Sequence, residues 1–253
     1  MTQKQFKLKL IGHEMITPSV VHLTFMRTDK LPMVFMPGQF ITFLLPHQGG
    51  KMVRRSYSLA SSPEEPYEIA IAVAPVANGF ATQILFNLKL GDELLCMGPA
   101  GNFTLIEKEY DSHYILVATG TGVAPYRAML PQIAQRLIAN KALKVTLLLG
   151  DRYIEDLLYI KDFLAFEKEN KRFYFRAYLS RAYTLLAPYQ YRGYVQSAFE
   201  TLDLNPASDL VYLCGNPHMI DESVKKLQEI GFGRAQIKRE KYISSPVKSS
   251  ITL

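Results

Sequence analysis

The chain has 253 residues, 48% hydrophobic and 21% charged, with a formal net charge of +6. That length suits two cores of roughly 100 to 150 residues each, and the composition is that of a folded globular protein. No apolar run approaches the ~18 residues of a spanning helix. The N-terminal residues lead into an alternating strand rather than a leader, so a cytoplasmic location without membrane insertion is expected. No block of five or more like charges points to nucleic acid. Cys96 and Cys214 are the only cysteines and the five histidines show no metal-ligand spacing. That excludes an iron–sulfur cluster, a disulfide framework and a metal centre, so any redox cofactor has to be organic.

Residues 6–103 read as short strands with turn punctuation, the pattern of an antiparallel barrel or sandwich. Phe6–Leu10 alternates, and Val20–Met26 and Phe40–Leu45 follow, with Pro37-Gly38 and Gly49-Gly50 as turns. The next strand, Arg54–Pro63, places Arg55, Tyr57 and Leu59 on one side and Ser56, Ser58 and Ala60 on the other. Arg55 can fork onto a pyrophosphate and Tyr57 offers a flat face to a heteroaromatic ring, which suits a flavin dinucleotide. An edge strand with solvated arginines is the alternative these residues leave open. After the strand Tyr67–Val73 the period becomes helical over Phe80–Leu88. The first amides of that segment can meet a phosphate, with Gly79 allowing close approach and Phe80, Ala81 and the Thr82 hydroxyl beside it. A plain turn is the alternative there. Leu90–Leu94 and Gly98–Phe103 close the barrel, with Cys96 expected in its core.

The charged stretch Glu107–Asp111 reads as a linker that divides residues 1–106 from residues 112–253. Tyr114–Ala118 is nearly all apolar, as in a parallel strand buried on both faces. Gly120-Thr121-Gly122-Val123-Ala124-Pro125 then opens a helix over Tyr126–Ala139, so the loop lies where a phosphate-binding turn belongs. Pro125 replaces the third glycine of the usual dinucleotide fingerprint. The next strand, Val145–Leu149, is read as lacking an acidic cap, with Arg152 at its C-terminal edge. Phe173–Leu179 ends in Ser180-Arg181, and Asp209–Leu213 ends in Cys214-Gly215-Asn216-Pro217-His218-Met219 before another helix. Ala235–Tyr242 precedes a polar tail, residues 243–253. This alternation predicts an open parallel α/β sheet whose ligands bind outside the carboxyl ends of its strands. Gly120, Arg152, Arg181 and Cys214 fall there.

Arg55-Ser56-Tyr57-Ser58, Gly120 to Pro125 and Cys214 to Met219, in that order, resemble the ferredoxin-NADP reductase superfamily. The resemblance implies FAD and NADP(H) as cofactors. It implies that Arg55 binds the FAD pyrophosphate, Tyr57 stacks on the isoalloxazine and Ser58 lies near flavin N5, with Ser56 in the same motif. Gly79 to Thr82 is similar to the family's second FAD segment. Gly120, Thr121 and Gly122 look like the loop that cradles the nicotinamide dinucleotide pyrophosphate, and Cys214 resembles the cysteine that lies against the nicotinamide, with Gly215 and Asn216 following it among the implied NADP-binding residues. Glu240 and Tyr242 are similar to a glutamate that assists and an aromatic that covers the flavin. Here eleven residues follow Tyr242, and an ordinary strand-end tyrosine is the alternative.

The implied chemistry is hydride transfer from NADPH to FAD, with Ser58, Cys214 and Glu240 as the catalytic candidates. Arg152, Ser180, Arg181 and Arg192 are placed to grip a 2′-phosphate, which favours NADP over NAD; solvated arginines are the alternative. The expected acceptor is an acidic one-electron carrier, ferredoxin or flavodoxin, steered by Lys51, Arg54, Arg239 and Lys241. The competing readings are an NAD(P)H:flavin reductase and an electron-transfer or regulatory subunit of a larger redox complex. A monomer is expected.

Overall fold

The computed structural model describes residues 5–106, 112–184 and 187–243. The expected linker at residues 107–111 and the tail beyond residue 243 lie outside the described residues. The first half folds as six antiparallel strands: β1 (Gln5–Met15), β2 (Val21–Arg27), β3 (Phe40–Pro46), β4 (Met52–Ser58), β5 (Ile69–Val73) and β6 (Glu93–Ala100), in the order β4-β3-β6-β1-β2-β5. Past the end of β4, Leu59 bridges Ile71 and the Ala60 N–H donates to the Ala70 carbonyl at 2.8 Å. These bonds join the first strand of that order to the last and close the barrel. The expected strand Arg54–Pro63 therefore ends at Ser58, because the chain there leaves β3 to reach across to β5. A short helix α1 (Phe80–Phe86) links β5 to β6 and stops two residues earlier than its periodicity predicts, capped by the Asn87 N–H on the Ile84 carbonyl.

Alternation sets what each strand buries. In β1, Phe6, Leu8 and Leu10 point inward while their neighbours stay exposed, and Cys96 lies fully buried beside them. β5 is buried on both faces: Ile69, Ile71 and Val73 belong to the barrel core, whereas Ala70 and Ala72 belong to the core of the second half. A strand that serves two cores has no solvent face, hence its continuous apolar run.

The second half holds β7 (His113–Thr119), α2 (Ala124–Ala139), β8 (Lys144–Asp151), α3 (Ile160–Glu169), β9 (Phe173–Leu179), β10 (Gln190–Arg192), β11 (Asp209–Gly215), α4 (Pro217–Ile230) and β12 (Ile237–Lys241). Its sheet is parallel throughout, in the order β10-β9-β8-β7-β11-β12. α2 begins two residues before the expected Tyr126, with Pro125 in the first turn, where a missing N–H costs nothing. Between β9 and β11 the chain runs through the edge strand β10 and a 3-10 turn, Val195–Glu200. Because β7 and β11 are central neighbours, the loops that follow them lie side by side.

Candidate functional site

β4, the loop into α1 and the end of β12 converge on a cleft of about 1180 Å³. That exceeds the roughly 300–1,000 Å³ of a usual small-molecule site and suits a dinucleotide. All five residues from Arg54 to Ser58 line it, since β4 is the edge of its sheet and both of its faces border the opening. Tyr57 anchors the wall: one side of its ring packs on Phe43, with centroids 5.9 Å apart, and burial pushes its phenol up to about 12. Gly79, Phe80, Ala81 and Thr82 form the neighbouring wall. The Thr82 hydroxyl turns into its own loop and donates to the Gly79 carbonyl at 2.9 Å. A Cβ on Gly79 would lie 2.7 Å from that hydroxyl, so glycine is needed there for the tightness of the turn.

Across the cleft the two halves meet through a hydrogen-bond chain. The Tyr242 hydroxyl donates to Ser58 Oγ at 2.6 Å, and Ser58 Oγ donates to Glu240 Oε1 at 3.0 Å. Backbone register puts Glu240 level with Cys214, and the Tyr242 N–H donates to the Gly215 carbonyl at 2.8 Å. Burial raises the Glu240 carboxyl above its ordinary value, opposed by the Ser58 hydroxyl. Burial also pushes the Cys214 thiol and the Tyr242 phenol well up, with the Glu240 charge adding to both. Thiol and phenol therefore hold their protons at neutral pH.

The two loops at the centre of the parallel sheet interlock. A Cβ on Gly122 would stand 2.4 Å from the Cys214 carbonyl oxygen, and one on Gly215, at φ +119°, would stand 2.7 Å from the Thr119 carbonyl oxygen. Thr119 Oγ1 accepts from the Asn216 N–H at 3.0 Å, and the Asn216 side chain caps α4 by accepting from the His218 N–H. Gly120 takes φ +52° with nothing within 4 Å of a Cβ there, so it faces open space. Thr121 and Ala124 line the flavin-side cleft, whereas Gly120, Gly122, Cys214, Gly215 and Asn216 do not.

The 2′-phosphate candidates gather at the other corner. The Arg181 N–H donates to the Arg152 carbonyl and the Ser180 N–H to the Asp151 carbonyl, while Arg192 sits opposite Leu179 on β10 and donates to the Tyr183 carbonyl. Asp151 corrects the reading of an uncapped strand: it is the last residue of β8, two positions past Leu149. Burial raises its carboxyl to about 6, and its Oδ1 accepts from the Arg152 N–H at 2.9 Å. Of the four basic residues expected around the flavin, Lys51, Arg54 and Arg239 are exposed, but Lys241 is paired with Asp221 at 2.6 Å. Sequence reasoning also passed over Phe40, Ala72 and the segment 74–78, which complete the cleft wall. Phe40 carries a signal only in hindsight, as the register partner of Ser58; the small residues of β5 carry none.

The donor set fits a flavin dinucleotide: a guanidinium for a diphosphate, a ring face for a heterocycle and the hydroxyls of Ser58 and Tyr242 in the cleft wall. Residues 7–105 match the family described as Oxidoreductase FAD-binding domain, and residues 116–225 match the one described as Oxidoreductase NAD-binding domain. A ferredoxin--NADP reductase B of Sorangium cellulosum is 33% identical over 245 residues, covering 94% of this chain and 97% of that protein. The toluate 1,2-dioxygenase electron transfer component of Pseudomonas putida is 27% identical over 244 residues, 96% of this chain and 69% of the relative. Among solved structures, a cytochrome P450 reductase of Amycolatopsis superposes with a TM-score of 0.81 at 26% identity, covering 95% of this chain and 71% of that one.

Proposed function

We propose that this chain, which belongs to the ferredoxin reductase-type family of FAD- and NAD-binding oxidoreductases, is an NADPH-dependent reductase serving a separate one-electron carrier, ferredoxin or flavodoxin. The division of labour is residues 1–106 for the flavin and 112–253 for the nucleotide. The observation that carries the reading is the Tyr242–Ser58–Glu240 chain beside Cys214, which joins the flavin wall to the end of the nucleotide sheet.

When bound, FAD supplies an acceptor that takes two electrons together and returns them singly. The protein's own groups orient and protect. Arg55 holds the diphosphate with a forked guanidinium and Tyr57 presents its ring to the isoalloxazine. Ser58 keeps a proton at Oγ between two buried partners, and Cys214 and Glu240 set the polarity where the nicotinamide enters. Tyr242 covers the site and excludes water; it has to swing aside for the nucleotide ring. Lys51, Arg54 and Arg239 form the positive rim that steers an acidic carrier.

Arg152, Ser180, Arg181 and Arg192 grip the 2′-phosphate. Asp151 Oδ1 is engaged by the Arg152 N–H, which leaves its second carboxylate oxygen as the acceptor that would favour a free 2′-hydroxyl if NADH proved the better donor. An anaerobic titration tests both parts: NADPH bleaches the flavin at much lower concentration than NADH, and Arg181→Ala raises KM for NADPH at least 10-fold more than KM for NADH. Equal changes would sink the nucleotide assignment. Reduction of ferredoxin or flavodoxin that falls steeply with salt supports the carrier; salt-insensitive release of reduced flavin favours a flavin reductase. The toluate dioxygenase relative supports a second reading, in which the acceptor is an oxygenase component.

A further inference from the structure

Away from the cleft, a second set of side chains ties the two halves together. Arg127 lies in the first turn of α2, five residues past Gly122 of the nucleotide loop. Its NH1 donates to the carbonyl of Ala60 at 2.7 Å, and Ala60 is two residues past Ser58. Its Nε pairs with Asp162 of α3 at 2.5 Å, and its guanidinium lies 4.9 Å from the centre of the Tyr159 ring. Tyr159 in turn returns to the barrel, with its hydroxyl 2.9 Å from Nδ1 of His22 on β2. One planar guanidinium thus meets a carbonyl, a carboxylate and a ring at once, which lysine cannot copy. Tyr159 holds a left-handed φ of +57°, unusual for an aromatic residue, with its ring against Arg127 and its hydroxyl against His22.

The placement matters more than the strength of any one bond. The clasp joins the turn that follows the nucleotide loop to the segment that follows the flavin strand through a single side chain. We propose that Arg127 is a positioning residue for hydride transfer: it sets the angle at which the nucleotide half faces the flavin half, and so the approach of the two rings. This rests on the NADPH-to-FAD reading. None of Arg127, Asp162, Tyr159 and His22 lines the cleft, so the clasp governs the rate of transfer while leaving occupancy intact.

The test uses the FAD-loaded protein and the variants Arg127→Gln, Arg127→Lys and Tyr159→Phe. FAD content, NADPH affinity from the concentration dependence of anaerobic rapid-mixing flavin reduction, the limiting rate of that reduction and hydrogen–deuterium exchange over residues 58–71 are measured for each. Expected for Arg127→Gln is full FAD content, NADPH affinity within about 3-fold and a reduction rate on the order of 10- to 100-fold lower, the scale of a misplacement near 1 Å. Exchange over residues 58–71 becomes faster. Arg127→Lys falls between, and Tyr159→Phe, which keeps the arginine, loses about 2- to 5-fold. If Arg127→Gln does not fold, the lysine and phenylalanine variants decide. Unchanged rates, or rates that fall only in parallel with FAD content and NADPH affinity, overturn the proposal. Wild-type flavin that neither NADPH nor NADH reduces overturns the underlying reading and this one with it; normal wild-type reduction with unaltered variants overturns this one alone.

Discussion

Gly122 and Gly120 sit two residues apart in the nucleotide loop and are glycines for different reasons, which a pair of alanine substitutions can separate. A Cβ on Gly122 would lie 2.4 Å from the Cys214 carbonyl oxygen and 2.7 Å from the Cys214 carbon and the Gly215 Cα. All three are backbone atoms, and ordinary contact begins near 3.4 Å, so the loop and the end of β11 have to part by about 1 Å. β11 is held by β7 on one side and β12 on the other and cannot retreat alone. The expected cost of Gly122→Ala is about 1–3 kcal/mol, the range for overpacking a filled interior. Gly120→Ala meets no atom within 4 Å but keeps φ at +52°, and a lone left-handed residue costs about 1–2 kcal/mol. Urea denaturation of the FAD-loaded protein measures both. A crystal structure of Gly122→Ala then shows whether β7 and β11 separate at their carboxyl ends. Gly122→Ala as stable as wild type, with the loop unmoved, would refute the interlock.

Four further outcomes follow from the buried groups. Ser58→Ala leaves the Tyr242 hydroxyl and the Glu240 carboxylate without their shared partner, at a cost of about 1–3 kcal/mol; a melting temperature within error of wild type would contradict this. Glu240 has its folded pKa raised, so stability falls as pH climbs from its ordinary value of 4.5 through the raised one. Glu240→Gln should flatten that slope, and an unchanged pH profile would count against the burial argument. Asp151 behaves likewise between 3.8 and about 6. Asp151→Asn should gain up to ~3 kcal/mol at neutral pH while losing that slope, read by denaturation at pH 4 and pH 8. Cys96 and Cys214 are both fully buried with thiols raised by burial. Neither should react with iodoacetamide until the protein unfolds, and mass spectrometry of native protein carrying one adduct would show otherwise.

What the sequence made legible were the features with local causes. Alternation in Phe6–Leu10 marked β1, the glycine-bounded apolar run marked β7, and Phe173–Leu179 was read to the residue. The two-domain order and its family could be read because three motifs each sit at the end of a strand. What was missed depends on pairing at a distance. β10 is three residues long and exists only because β9 offers it an edge. The end of β4 is set by the bridge from Leu59 to Ile71, which no local pattern in Arg54–Pro63 records. The engagement of Lys241 by Asp221 joins β12 to α4, so the charge that looked available for docking is already matched. Asp151 follows Gly150 at the carboxyl end of β8, and the burial that raises its carboxyl comes from the folded surroundings, which no local pattern records.

The hydrogen bond between Ser58 and Glu240 spans 182 positions, which gives the site a place in time as well as in space. At the usual 5–20 residues per second of translation, Glu240 leaves the ribosome roughly 10 to 40 s after Ser58. All six barrel strands have by then been synthesised, with Arg55 and Tyr57 among them, while Glu240 and Tyr242 on the far side of the cleft come last. A cleft lacking β12 lacks the Tyr242–Ser58–Glu240 chain, so a chain shortened before that strand is expected to hold its cofactor less tightly than the full one, read by the flavin content of the purified protein.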